Sequence, residues 1–254
     1  MTTKPLSDMT QIERASFGSK LGVILATAGS AVGLGNVWRF PYMAGEYGGA
    51  AFIFIYIGCV LLFGIPCMVS EFIIGRHAAS NTARAYRSLS GGTPWAAIGY
   101  FGVFTGVLIT SYYAVVAGWC LQYILASLTG SLHGSPEFFA DYFATFEQDP
   151  VKPVLWTVAI ILITHYVIVH GVRDGIEKAS KLLMPALFVL LLIVVVSACM
   201  LPGALKGVEF LFKPDFGKVS GDVFLGALGQ AFYSLSIGMG CLCTYASYFS
   251  RQTN

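Results

Sequence analysis

The chain has 254 residues, of which 56% are hydrophobic and 11% charged, and its net charge is +2. A soluble domain carries about a quarter charged residues, so this composition excludes an ordinary soluble domain and points to lipid as the solvent. The near-neutral charge gives no footing for a nucleic-acid partner.

Residues 1–16 are polar and lack a short apolar core followed by a small-residue cleavage site, so they read as a cytoplasmic N-terminal segment and not as a signal peptide. A helix needs about 20 mostly apolar residues to cross the hydrocarbon core. Six stretches qualify: about 21–42, 50–74, 95–128, 153–170, 182–201 and 222–249. These runs are too long for barrel strands of about 9–11 alternating residues. The expected fold class is therefore all-α, a polytopic membrane helix bundle, with residues 17–254 forming one transmembrane domain.

Span one contains Gly29, Gly33 and Gly35 within seven residues, followed by Asn36 and Arg39. Each glycine disfavours helix by about 1 kcal/mol relative to alanine, so the segment is poised to unwind. Unwound backbone is tolerated at membrane depth only where it lines a cavity or binds something. Gly29 and Gly33 also match a close-packing motif between helices, which would serve helix approach alone. Arg39 within a span is by default a functional charge with a partner. Spans two to five are mostly ordinary apolar helix, and all six cysteines (Cys59, Cys67, Cys120, Cys199, Cys241, Cys243) lie in apolar runs, as packed thiols do.

The sixth span repeats the anomaly, with Gly229, Ser234, Ser236, Gly238 and Gly240 at its centre. Interrupted helices in corresponding positions of two halves point to a transporter binding site. Basic residues set the orientation. With the N-terminus inside, the cytoplasmic segments hold Lys4, Arg14, Lys20, Arg76, Arg84, Arg87, Arg173, Lys178, Lys181 and Arg251, against Lys152, Lys206, Lys213 and Lys218 outside.

The segment Ala28–Pro41, Glu71–Arg76, the run Ser111-Tyr112-Tyr113 and the segment Gly229–Tyr248 together resemble the neurotransmitter:sodium symporter family, in its prokaryotic amino-acid transporter form. Gly175, nine residues, then Pro185 matches a family motif associated with unwinding that admits cytoplasmic water. The resemblance implies a leucine-transporter-like inverted-repeat fold in the cell's inner (plasma) membrane. Six spans would hold the first repeat and the opening helix of the second, so a longer parent protein is expected. It implies a symporter, not an enzyme, that couples sodium to import of an amino acid, here a neutral apolar or aromatic one.

By the same resemblance, two sodium ions would be held by Ala31, Asn36 and Ser234 at one site and by Gly29 and Val32 at the other. The substrate carboxylate would meet Leu34, Gly35 and Tyr113. Its amino group would meet Ala31, Tyr233, Ser234 and Ser236, and Ser30, Ile109, Tyr113, Tyr233, Ser236 and Met239 would surround its side chain. Arg39 with Tyr113 and Tyr233 would form an outer gate, Arg14 and Tyr248 an inner gate, and Glu71 a brace for unwound span six. Gly33, where amine-carrying relatives hold an aspartate, implies a substrate that brings its own carboxylate. Tyr56, Gln230 and Ser234 match chloride-binding positions, but the deciding position lies in span seven, so these residues leave chloride use open. The expected partners are the substrate and the bilayer. Phe17, where the family usually has tryptophan, departs from the pattern. A sodium-independent exchanger or channel, and a non-transporting sensor, stay open as alternatives.

Overall fold

In a computed structural model of the chain, residues 17–249 are described. Span one is two helices, α1 (Lys20–Ala31) and α2 (Gly35–Glu46), bent by 55° across the break. Span two is α3 (Ala50–Ala78), followed by a short helix α4 (Thr82–Leu89). Span three is α5 (Ala96–Leu128), and the acidic connection that follows it folds into α6 (Pro136–Gln148). Spans four and five are α7 (Lys152–Val169) and α8 (Val172–Cys199), joined through α9 (Ala204–Phe212) to α10 (Gly221–Ser234) and α11 (Cys241–Ala246). No strand occurs among the described residues.

Four helices (α3, α5, α7 and α8) are each long and apolar enough to cross a membrane, and the bent pair α1–α2 makes a fifth. The sixth expected span appears as α10 and α11, separated by the irregular residues 235–240. The short helices α4, α6 and α9 were not expected, because eight to thirteen residues of mixed polarity fall below the length that marks a span.

Local chemistry sets the ends. Ser19 Oγ accepts from the N–H of Gly22 at 3.0 Å, Asn81 Oδ1 from Arg84 at 3.0 Å, and Ser220 Oγ from Val223 at 3.4 Å, each capping a helix start. Asp149 takes the N–H groups of Lys152 and Val151 ahead of α7, which hold its carboxyl below the usual carboxylate range. Wide turns interrupt the regular pattern at Gly35–Arg39 and Val60–Gly64, just before Pro41 and Pro66. Proline has no N–H to give to the fourth residue before it and crowds that carbonyl, so the helix widens there.

One buried cluster joins Met43, Ala44 and Phe52 to Val223 and Ala227, binding α2 and α3 to α10. A second joins Phe17 and Ala26 to Val172, fixing the foot of α1 to the start of α8. None of the most apolar stretch of α7 or α8 is buried within the chain. Such all-round apolar faces belong against lipid or further protein.

Candidate functional site

The two breaks face each other. In span one, Val32 is extended and its N–H still reaches the Ala28 carbonyl at 2.8 Å, while helix resumes only with Gly35. The N–H of Leu34 therefore has no helical acceptor, and it donates to Tyr113 Oη of α5 at 2.7 Å. Asn36 folds back so that Nδ2 donates to the Ala31 carbonyl at 2.7 Å, which gathers two hard oxygens, the Asn36 amide oxygen and the Ala31 carbonyl, at one corner of the break.

In span six the chain leaves helix after Ser234 and passes through left-handed backbone at Ser236, Gly238 and Gly240. Ser236 Oγ donates to the Ser30 carbonyl at 2.8 Å, a direct tie between the two breaks. Glu71, buried at 6% exposure, accepts from the N–H of Gly238 at 2.7 Å and of Cys243 at 3.4 Å. The carbonyl of Gly240 takes two hydroxyls, Thr82 Oγ1 at 2.6 Å and Thr244 Oγ1 at 3.0 Å. One carboxylate thus answers the freed N–H groups, while the Gly240 carbonyl, which also accepts the Thr244 N–H at 3.0 Å, gains two hydroxyls besides.

Gln230, fully buried, links the halves. Its Nε2 donates to the Gly35 carbonyl at 3.0 Å and to Ser234 Oγ at 3.1 Å, and its Oε1 accepts from Arg39 at 3.1 Å. The Arg39 guanidinium also stands 5.4 Å from the centre of the Tyr233 ring, within the range of a cation–π contact.

Two cavities meet at this point. The lower, of about 690 Å³, lies between the breaks and has apolar walls from Ile109, Ala114, Ile161 and Met239. Every residue expected to hold sodium or substrate lines it, except Leu34. The upper cavity, of about 570 Å³, is lined by Leu34, Trp38, Arg39, Tyr42 and Tyr112. Gly35, Tyr113 and Tyr233 line both and form the partition.

Other expected residues sit apart. Tyr248 packs edge-on against Phe17, with ring centres 6.5 Å apart, and its carbonyl accepts the Phe17 N–H at 3.4 Å. Phe17 stacks on Tyr245 as well, so the phenylalanine fills the position with ring packing alone. Tyr56 packs edge-on against Phe40. Arg14 lies outside the described residues.

Three residues escaped sequence reading. The first is Tyr112, whose phenol meets that of Tyr233, while the Tyr113 oxygen beside it accepts from Leu34. Neighbours on a helix point about 100° apart, so only one of the pair can face each way. Thr82 reaches Gly240 across 158 residues, with no local pattern to mark it. Glu177, 2% exposed, accepts from Gly18 N–H at 2.6 Å, Ser19 Oγ at 2.8 Å and Lys181 Nζ at 2.7 Å, tying the foot of span one to span five. Its signal was partial: two acids, Asp174 and Glu177, stand among Arg173, Lys178 and Lys181, and the sequence does not tell which one is buried.

The Thr82 contact predicts a stability pattern. Thr82→Val alone should destabilise by about 1 kcal/mol, since Thr244 still serves the Gly240 carbonyl. Thr82→Val with Thr244→Val should cost less than the sum of the singles, because the two hydroxyls also bond each other at 3.0 Å, a contact that either change removes, and the carbonyl keeps the Thr244 N–H. Thermal unfolding of the full-length protein reads this, and strict additivity would refute it.

A model described as the sodium:neurotransmitter symporter family matches residues 14–136 and 134–254. The uncharacterized sodium-dependent transporter YhdH of Bacillus subtilis is 39% identical over 97% of this chain and 55% of its own length. The human sodium- and chloride-dependent GABA transporter 2 is 28% identical, over 96% of this chain and 46% of its own length. The crystal structure of MhsT in complex with L-phenylalanine superposes with a TM-score of 0.88 at 44% identity, covering 94% of this chain and 55% of that one. The chain spans about half the length of the relatives it matches.

Proposed function

We propose that this chain, which belongs to the sodium:neurotransmitter symporter family, carries the sodium and substrate sites of a symporter that imports a neutral apolar or aromatic amino acid. Transport would run by alternating access around the breaks of spans one and six, in the cell membrane with the N-terminus in the cytoplasm. Two sodium ions would travel with each substrate. A tenfold sodium gradient with 100 mV of potential supplies roughly 3.7 kcal/mol per ion, ample for concentrating a zwitterion.

One observation carries the reading: Leu34 N–H and Tyr113 Oη lie 2.7 Å apart beside the Asn36–Ala31 corner. With its oxygen accepting from Leu34, the phenol keeps its own proton free for a carboxylate. The Gly35 N–H, at the start of α2, adds a backbone donor and the positive end of the helix. The Asn36 and Ala31 oxygens next to that position suit a sodium ion, which prefers hard oxygen ligands, and the substrate carboxylate would complete its shell. A side chain at Gly33 would collide with Tyr113 Oη, so the backbone is kept clear for a substrate that supplies the carboxylate itself. The apolar walls at Ile109 and Met239, and the phenylalanine bound by MhsT, support an apolar or aromatic side chain.

The test is binding of labelled amino acids to the full-length protein in sodium and in potassium. Binding should require sodium, and Asn36→Ala should weaken it by about 10- to 100-fold, the worth of roughly 1.5–3 kcal/mol for a ligand to a charged group. Equal binding in both salts by folded protein would refute sodium coupling.

A further inference from the structure

We propose that Tyr112 is a positioning residue of the outer closure, whose phenol latches the Tyr233 ring over the lower cavity and thereby sets how fast ligand escapes outward. What escapes rests on the symport reading; the latch itself rests on geometry.

The Tyr233 ring is restrained from three sides. Its edge lies against the backbone of Gly35, where a Cβ would collide with the ring. The Arg39 guanidinium covers its face, with the centroid 5.4 Å away. Its hydroxyl meets the hydroxyl of Tyr112, on a helix 121 residues away in sequence. The first two contacts come from span one and leave the ring free to swing toward span three. The Tyr112 bond is the restraint that joins α10 to α5 across the partition between the cavities.

This bond has the properties of a releasable latch. Both partners are the tips of side chains, so parting them disturbs neither helix backbone. Tyr112 is 47% exposed and lines the upper cavity, so breaking the bond strands no buried group on its side. Tyr113, one position along, turns its hydroxyl to Leu34 instead. The two tyrosines therefore divide the work, Tyr113 holding the binding backbone and Tyr112 the cover above it.

The experiment compares full-length wild type with Tyr112→Phe, Tyr233→Phe and the double variant, each carrying the same two readouts. The first is the release rate of labelled L-phenylalanine in saturating sodium. The second is the rate at which Ile109→Cys, in the wall of the lower cavity, reacts with an impermeant thiol reagent applied from outside in sodium without amino acid. Each single variant should speed release and labelling about fivefold, the worth of one neutral hydrogen bond, and the double variant should be no faster than either single. Thermal unfolding should stay at the wild-type value for Tyr112→Phe, which separates a latch from a general packing role. Wild-type rates in Tyr112→Phe, or strictly additive effects in the double variant, would overturn the proposal. If wild-type protein shows no sodium-dependent binding, the symport reading fails while the labelling rates still decide the latch.

Discussion

Gly35→Ala should weaken substrate binding by the full-length protein up to about 100-fold, although it adds a single methyl group. The new Cβ would fall onto Cε1 and Cδ1 of the Tyr233 ring. That ring has little room to retreat, with Arg39 over its face and Tyr112 at its hydroxyl. The backbone cannot retreat easily either, because the Gly35 carbonyl is held by buried Gln230 at 3.0 Å. Overpacking of this kind costs about 1–3 kcal/mol, or roughly 5- to 150-fold in affinity if the site absorbs it. Gly45 supplies the control within α2, since a Cβ there meets nothing within 4 Å. Gly45→Ala should leave binding unchanged and stabilise the helix slightly. Equal effects of the two substitutions in an equilibrium binding assay would refute the argument.

The breaks were legible because their cause is local. Glycines crowded into the centre of an apolar run disfavour helix wherever that run ends up, so residues 29–35 and 229–240 advertised themselves. The structure adds that span one breaks after Ala31 and resumes at Gly35, and that span six is irregular between Ser234 and Cys241. What braces the breaks was legible only in part. Glu71 was reached through the family resemblance, since an acid near the end of a span marks no brace by itself, whereas Thr82 opens a short polar helix and matters through the distant carbonyl it meets. Tyr112 was hidden differently. Sequence places Tyr112 and Tyr113 side by side, and only the rotation of α5 decides which phenol faces Leu34 and which faces Tyr233. Helix α6 was hidden because its charges mask the apolar side on which Phe146 is buried. Elements that bury one short face give a weaker signal than spans that bury every face.

Removal of the Glu71 carboxylate is expected to be the most damaging change in the chain, and graded substitutions can show why. The break in span six frees N–H groups that no helix satisfies, and α11 begins with donors that lack partners. Glu71 reaches two of them with separate oxygens, Oε1 to Gly238 and Oε2 to Cys243. Glu71→Ala would take the carboxylate acceptor away from both backbone donors, at about 1–3 kcal/mol each. It also opens a cavity between α3 and α11, so the total should be roughly 3–5 kcal/mol. Glu71→Gln keeps one accepting oxygen but turns an NH₂ toward the other backbone N–H. It should therefore recover about half of the loss, whereas a carboxylate acting by charge alone would give no difference between glutamine and alanine. Binding should follow the same order, because the Ser236 bond to the Ser30 carbonyl depends on the path that the braced segment takes. Thermal unfolding and sodium-dependent binding of the three full-length proteins would check this. A Glu71→Ala protein with wild-type unfolding temperature and affinity would show that span six holds its break without this brace.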